Sequence, residues 1–413
     1  MATKPRVTIL GAGIGGLTLA LELHRVGVEC VVLEAAPNLG ALGVGINLLP
    51  HATRNLSRLG LQEALTAVAV TTRESAFFNR FGQLIATEPA GRHAGYDWPQ
   101  FSIHRGDLQQ VLLGAVRDRL GPDAVLLGHR GVRVTQDERS ATVHVEHPDG
   151  STSEVRSDVV VGADGVHSVV RRQFHGDVAP RYTGYMMWRG TTVWPRFLTG
   201  ASMVRAGWLA TGKMVIYPIR DDVNDRGDQL VNWVAEVEAP IGDARDWNRP
   251  GLVDDFIGPF ADWHFDWLDV PAMIRAADAV LEYPMVDQDP LGHWTEGRVT
   301  LLGDAAHPMV PRGSNGAAQA ILDARVLAAR LAGDGDPYRA LRAYEEERLP
   351  ATSRVVLTNR ANPPDALLRE VYERTGDRPF ERVGDVITPE EIRRLSEGYQ
   401  AVAGFSHSAL ARS

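Results

Sequence analysis

Cysteine occurs once, at position 30, so the chain can form neither an intramolecular disulfide nor a cysteine-based metal site. Lysine is almost as scarce: of 43 basic residues only Lys4 and Lys213 are not arginine. We read that bias as the codon usage of a GC-rich genome. A basic stripe is missing too, and the net charge of −9 excludes a protein built to neutralise nucleic-acid phosphates. No segment approaches the roughly 18–20 apolar residues that cross a bilayer. Lys4 and Arg6 before the uncharged run Val7–Leu21 resemble a secretory leader, but four glycines within six residues, and Glu22 right after, spoil a signal helix. Internal repeats and low-complexity tracts are absent. These absences leave a cytoplasmic globular protein, monomer or homodimer, with no metal, nucleic acid or membrane partner expected.

What is present begins at the N-terminus. Arg6–Leu10 reads as a buried strand, Gly11-Ala12-Gly13-Ile14-Gly15-Gly16 as a tight turn, and Ile14, Leu17 and Leu21 fall at helical spacing until Gly27. Val28–Leu33 is a second strand, closed by Glu34. Gly11 permits the turn, Gly13 lets the backbone approach a pyrophosphate, and Gly16 lets helix and strand pack closely. Phosphates would sit on the free N–H groups of the helix start. Glu34, 23 residues after Gly11, stands where a carboxylate accepts a ribose diol. This order points to an adenine dinucleotide, without deciding between FAD and NAD.

Further on, residues 74–88 alternate around Phe81-Gly82 as a hairpin, Gly106–Leu120 is an amphipathic helix, and Val132–Val145 and Ser151–Val155 are strands around Pro148-Asp149-Gly150. Asp158–Gly162 and Arg298–Leu302 are buried strands. Residues 181–285 hold most of the tryptophans, among them Trp188, Trp233, Trp247 and Trp263, with short β-like runs. Helices follow at about Ser314–Leu331 and at Pro337–Arg348. From Asn362 the chain is proline-bearing, charged and peripheral.

The stretches Gly11–Gly16, Ala163–Arg171 and Gly303-Asp304-Ala305-Ala306-His307, in this order and spacing, resemble the three fingerprints of the single-component FAD-dependent aromatic hydroxylases, the family of p-hydroxybenzoate and salicylate hydroxylases. Within it the chain is especially similar to the bacterial phenazine hydroxylases, through Leu42–Asn47, Ser102–Gly106, Met187–Gly190, Tyr283–Asp287 and Asn315-Gly316-Ala317. Arg312 departs from them, standing where they carry an apolar residue. The resemblance implies an α/β fold: a Rossmann-like FAD-binding domain (1–73, 101–180 and 286–350), an inserted mixed β-sheet substrate domain (74–100 and 181–285), and a helical C-terminal tail (351–413). It implies hydroxylation of an aromatic or polycyclic, phenazine- or quinone-like substrate with O₂ and NADH or NADPH, through a flavin C4a-hydroperoxide. FAD would be bound non-covalently and the nicotinamide only in passing, since no second G-x-G-x-x-G is present. A phenazine or quinone-like polycyclic acid is the first substrate expected, a monocyclic hydroxybenzoate the second.

The site residues expected on FAD are Gly11, Gly13, Ile14, Gly15, Gly16, Glu34, Gly45, Arg105, Asp164, Gly303, Asp304, Pro311, Gly313, Ser314, Asn315 and Gly316. Asp304 ends a buried strand beside a glycine, where its carboxylate can accept ribityl hydroxyls; this tilts the cofactor from NAD to FAD, although Gly-Asp alone is an ordinary turn. Arg105 reaches the ribityl–phosphate region by resemblance, or is a surface arginine. Asp164 and Arg171 either hold FAD or make a structural turn with a salt bridge. Tyr217, Trp233 and Tyr283 line an aromatic substrate pocket or are plain core. His51 touches substrate or caps a helix, and His307 is a hydrogen-bonded structural histidine. Two rivals remain: a flavin-dependent halogenase, for which Lys213 is the only interior lysine and Trp188–Pro195 does not match, and an FAD- or drug-binding protein without turnover.

Overall fold

The computed structural model describes residues 4–40, 43–240, 249–333, 335–361 and 365–412. Leu42, Trp247 and Asn362 lie outside the described residues. Strand Val7–Leu10 is entirely buried because four consecutive apolar-compatible side chains sit at the centre of a parallel sheet. Its neighbours are Val159–Gly162 on one side and Cys30–Glu34 on the other, with Val299–Leu301 and Val125–Leu127 outermost. Helix Ile14–Arg25 covers this sheet and packs on helix Gly316–Gly333. Leu17, Leu19 and Leu23 are fully buried there, each contributing about 1.5–3 kcal/mol of apolar burial.

The segment expected as one strand, Val132–Val145, is instead two, Arg130–Gln136 and Ala141–Glu146, which pair antiparallel. Asp137 causes the break: its Oδ1 accepts the backbone N–H groups of Arg139 and Ser140 and closes the turn. Thr152–Ser157 completes this three-stranded sheet.

The hairpin Glu74–Phe78 and Leu84–Pro89 forms as its alternation predicts. It joins Arg181–Trp194, Ser202–Gly207, Lys213–Arg220, Gln229–Glu238, Arg249–Pro250 and Val280–Asp287 in an eight-stranded mixed sheet. One face of that sheet, the back, is closed by Phe256, Phe260, Trp263 and Met273. The front face looks toward strand Gly45–Leu48 and the loop Val310–Gly316.

Two expectations about the C-terminal part are corrected. The helix expected to end at Arg348 runs Pro337–Ala361, through Pro350. Thr352, Val355, Val356 and Asn359 are buried beyond that proline, so packing outweighs the one lost backbone hydrogen bond. The tail is not peripheral either. Helix Ala366–Thr375 buries Leu367, Leu368 and Val371 against Phe77 and Ile85 of the hairpin, and helix Pro389–Ala403 buries Tyr399. A capping box at Thr388 and Glu391 starts the latter helix. Its charge faces solvent and its apolar stripe faces the protein, a pattern that overall composition hides.

Candidate active site

The glycine turn opens the helix Ile14–Arg25 with no side-chain cap and no acid in the first turn, so its leading N–H groups are available to an anion. Each glycine has its own reason. Gly11 has φ +103°, and a Cβ there would lie 2.5 Å from the Ala163 carbonyl oxygen. A Cβ at Gly16 would strike the Gly11 carbonyl oxygen at 2.0 Å, and one at Gly15 would meet Leu302 at 2.7 Å. A Cβ at Gly13 would meet none of the described residues within 4 Å. Three glycines therefore serve packing and one keeps open space beside the helix start.

Glu34 accepts the Ala12 N–H at 2.7 Å through one carboxylate oxygen and the Ala36 N–H at 2.8 Å through the other. Each oxygen keeps a second lone pair for a hydroxyl. Asp304 is exposed in the single turn Gly303–Ala305, 3.8 Å from where a Gly316 Cβ would stand. Arg105 opens helix Arg105–Leu120 and is exposed beside Gly43. An open helix start, the held carboxylate of Glu34, the exposed carboxylate of Asp304 and an exposed arginine fit an adenine dinucleotide carrying a ribityl chain.

Asp164 accepts the Val169 N–H at 2.7 Å, while its Oδ1 is buried without a hydrogen-bond partner among the described residues. Burial raises its pKa, against the hydrogen bonds from Ser168 and Val169. The salt bridge anticipated with Arg171 is not formed. Arg171 instead donates to the carbonyls of Ala305 and Ala306, both at 3.0 Å, and burial lowers its pKa to about 10. It fixes the turn at Asp164 to the turn at Asp304.

His307 is structural, as expected. Its Nε2 is 2.6 Å from Asp323, which also receives Arg348 at 2.7 Å and the Gly303 N–H at 3.2 Å. Burial alone would raise the Asp323 pKa, but His307 and Arg348 beside it hold it below the usual carboxylate range. Gly303 therefore has its N–H engaged within the protein.

The loop from Pro311 turns sharply: Gly313 has φ +72° and Ser314 φ +56°, a left-handed pair in which the non-glycine residue is strained by about 1–3 kcal/mol. Asn315 follows, buried, and helix Gly316–Gly333 begins. Asn315 Nδ2 donates to the Tyr399 hydroxyl at 2.6 Å, and that hydroxyl donates to Asn359 Oδ1 at 2.9 Å. The tail thus holds this loop in its strained form.

Across from the loop, Gly45 is seated on the front of the eight-stranded sheet. Its N–H donates to Asn232 Oδ1 at 2.7 Å, and its carbonyl accepts Tyr217 Oη at 2.9 Å and Arg189 at 2.6 Å. A Cβ at Gly45 would lie 2.7 Å from both Ile219 and Tyr217. Tyr217 and Tyr283 lie on this face; burial raises both hydroxyl pKa values. Met187, Val234, Met285 and Val310 make the apolar patch beside Tyr283.

Two expected pocket residues are elsewhere. Trp233 stands between Asn232 and Val234 in its strand, so alternation sends it to the back face. There it packs on Phe256, fills the space that a Gly190 side chain would take, and donates to Thr192. His51 is 1 % exposed, stacks on Phe405, and does not cap its helix. Its pKa is lowered to about 3 by burial, then by Arg348 and Arg54.

Sequence reasoning passed over Arg189, Asn232, Asp365 and Tyr399. Arg189 lies in a stretch whose only signal is its resemblance to the family, and the other three have no local motif. Lys213, weighed only as a halogenase lysine, is bound to Glu236 at 2.7 Å and to Asp365.

Residues 4–197 and 284–359 match the family described as FAD binding domain. The chain is 45 % identical over 369 residues to a phenazine 1,6-dicarboxylic acid hydroxylase of Lysobacter antibioticus, covering 87 % of this chain and 90 % of that one. It is 38 % identical to a 3-amino-4-hydroxybenzoate 2-monooxygenase of Streptomyces platensis, over 85 % and 86 % of the two chains. Among solved structures, a salicylate hydroxylase substrate complex superposes with a TM-score of 0.74 at 25 % identity, covering 100 % of this chain and 98 % of that one. The chain belongs to the FAD-binding domain family and, within it, to the FAD-dependent aromatic monooxygenases.

Proposed function

We propose that this monooxygenase hydroxylates a polycyclic aromatic acid of the phenazine or quinone-like kind, using O₂ and a transiently bound NADH or NADPH, in the cytoplasm. The carrying observation is one juxtaposition. The apolar and aromatic front face of the sheet stands opposite the strained loop Pro311–Gly316, joined to the nucleotide half through Gly45. The relative named for phenazine 1,6-dicarboxylic acid supports a fused-ring substrate.

In this reading Gly13, Ile14, Gly15 and Arg105 face the cofactor's phosphates, Glu34 its adenosine ribose and Asp304 its ribityl chain. The backbone from Gly313 to Gly316 faces its ring. Bound FAD supplies the redox chemistry and oxygen activation. The protein's part is orientation and exclusion of water. Tyr283, Met187, Val234 and Met285 seat the ring of the substrate, and the loop N–H groups, at a helix start, favour negative charge nearby. Lys213 is engaged by two carboxylates, so it offers no free amine for halogen transfer.

The test is stopped-flow reduction of the purified yellow protein by NADH and NADPH, with and without phenazine-1-carboxylate, followed by turnover under ¹⁸O₂. Faster reduction with the aromatic and one labelled oxygen on its ring are expected. Label arriving from water, or no product with any polycyclic acid, overturns the reading.

A further inference from the structure

Beside the apolar patch of the front face lies a set of buried charges. Lys213, 1 % exposed, bridges Glu236 and Asp365. Arg205 pairs with the same Asp365 at 3.1 Å, and Arg312 with Glu236 at 3.4 Å. Glu236 and Asp365 are 4 % and 3 % exposed, and the Arg312 side chain is nine-tenths buried. These ion pairs join three cations to two carboxylates. Among the described residues one positive charge of this buried set is left over.

That surplus falls on Arg312. Its contact with Glu236 is the longest of the set, and its Nε is buried with no hydrogen-bond partner among the described residues. Lys213 and Arg205 are each held at shorter distance to a carboxylate. Burying a charge without a partner is costly, so such a site gains from an anion that arrives with a ligand. Arg312 also follows Val310 and Pro311 into the strained loop, and its guanidinium lies over the Tyr185 ring, 5.6 Å from the centroid. Tyr185 packs with Met187, Tyr283 and Met285. A planar ring laid on that patch would bring a ring substituent to Arg312. A guanidinium matches a carboxylate with two parallel hydrogen bonds.

We propose that Arg312 is the residue that selects carboxylate-bearing substrates, receiving the acid group while Glu236, Lys213, Asp365 and Arg205 hold it at the edge of the apolar patch. This rests on the aromatic substrate reading above. Glu236 positions Arg312, and Asp365, from the tail, positions Lys213. The charge arithmetic makes the inference testable without unfolding the protein. Removing the Arg312 charge leaves two cations facing two carboxylates, a balanced set.

The experiment compares FAD-loaded parent, Arg312→Leu, Arg312→Gln and Arg312→Lys by isothermal titration with phenazine-1-carboxylate and its neutral isostere phenazine-1-carboxamide. Salicylate and salicylamide form a second matched pair. The parent is expected to prefer the acid of each pair that it binds. Arg312→Leu and Arg312→Gln should lose acid affinity by roughly ten- to a hundredfold, the loss of a charged hydrogen bond, with amide affinity unchanged. Arg312→Lys should restore part of the preference. Equal weakening of acid and amide, or acid preference retained in the leucine and glutamine variants, overturns the assignment. A parent that binds only the monocyclic pair, with the discrimination lost in Arg312→Leu, upholds Arg312 while refuting the polycyclic substrate. A parent that binds neither pair refutes both.

Discussion

The Tyr399 hydroxyl receives a hydrogen bond from Asn315 and passes its own to Asn359, and it stands 1.8 Å from where a Cβ on Gly313 would be. A tail residue beyond the matched family segments thus clamps the loop that faces the eight-stranded sheet. Tyr399→Phe keeps the ring and leaves an amide donor and an amide acceptor unpaired in the interior. It should cost about 1–3 kcal/mol of stability. Urea unfolding measures this, and FAD titration should show weaker binding as the loop relaxes. Unchanged stability and affinity would contradict the clamp.

Gly11 and Gly13 should respond oppositely to alanine. At Gly11 the positive φ and the Ala163 carbonyl oppose a side chain, so Gly11→Ala should lower the melting temperature even without cofactor. At Gly13 a methyl group meets none of the described residues. Gly13→Ala should therefore fold normally and fail at FAD binding. Thermal scans of cofactor-stripped protein, paired with FAD titration, separate the two effects.

Asp304→Ala removes an exposed carboxylate with no packing role, and Glu34→Ala removes one that also orders Ala12 and Ala36. Each should weaken FAD by roughly ten- to a hundredfold. Only Glu34→Ala should also lower the stability of the stripped protein. If both variants keep FAD as tightly as the parent, the carboxylates are not ligands.

His51 makes the fold sensitive to mild acid. Its folded pKa of about 3 lies below the ordinary 6.5, so between these values the unfolded chain binds a proton that the native state refuses. Stability is full above pH 6.5 and falls as pH drops toward 3, by at most about 1.4 kcal/mol per unit. His51→Phe keeps the stacking on Phe405 and removes the proton site. Urea midpoints at pH 7.5 and pH 5 should differ less in the variant than in the parent.

The nucleotide half was legible because its signals are local. Four glycines, a strand before and an acid after specify a turn whose steric reasons lie within a few residues, apart from Ala163 and Leu302. The eight-stranded sheet was less legible, because which face a strand residue occupies depends on the register of its neighbours. Tyr217 and Trp233 look alike in the sequence, yet one reaches Gly45 and the other is sealed behind the sheet. Asp365 and Tyr399 were invisible for another reason: each meets its partners at separations of 40 residues or more, and their segment is rich in charge. Arg312 is a departure visible in the sequence, but Glu236, the carboxylate beside it, is 76 residues away along the chain.

The bond between Lys213 and Asp365 sets an order on assembly. As the chain is synthesised, strands, glycine turn and loop all emerge before Asp365, so for a time Lys213 and Arg205 must share an interior with Glu236 alone. An excess of two cations, Arg312 included, resists desolvation until the following helix arrives with its carboxylate. The parallel sheet around Val7–Leu10 carries no such debt, whereas the front of the eight-stranded sheet keeps its unmatched charge until Asp365 docks on it.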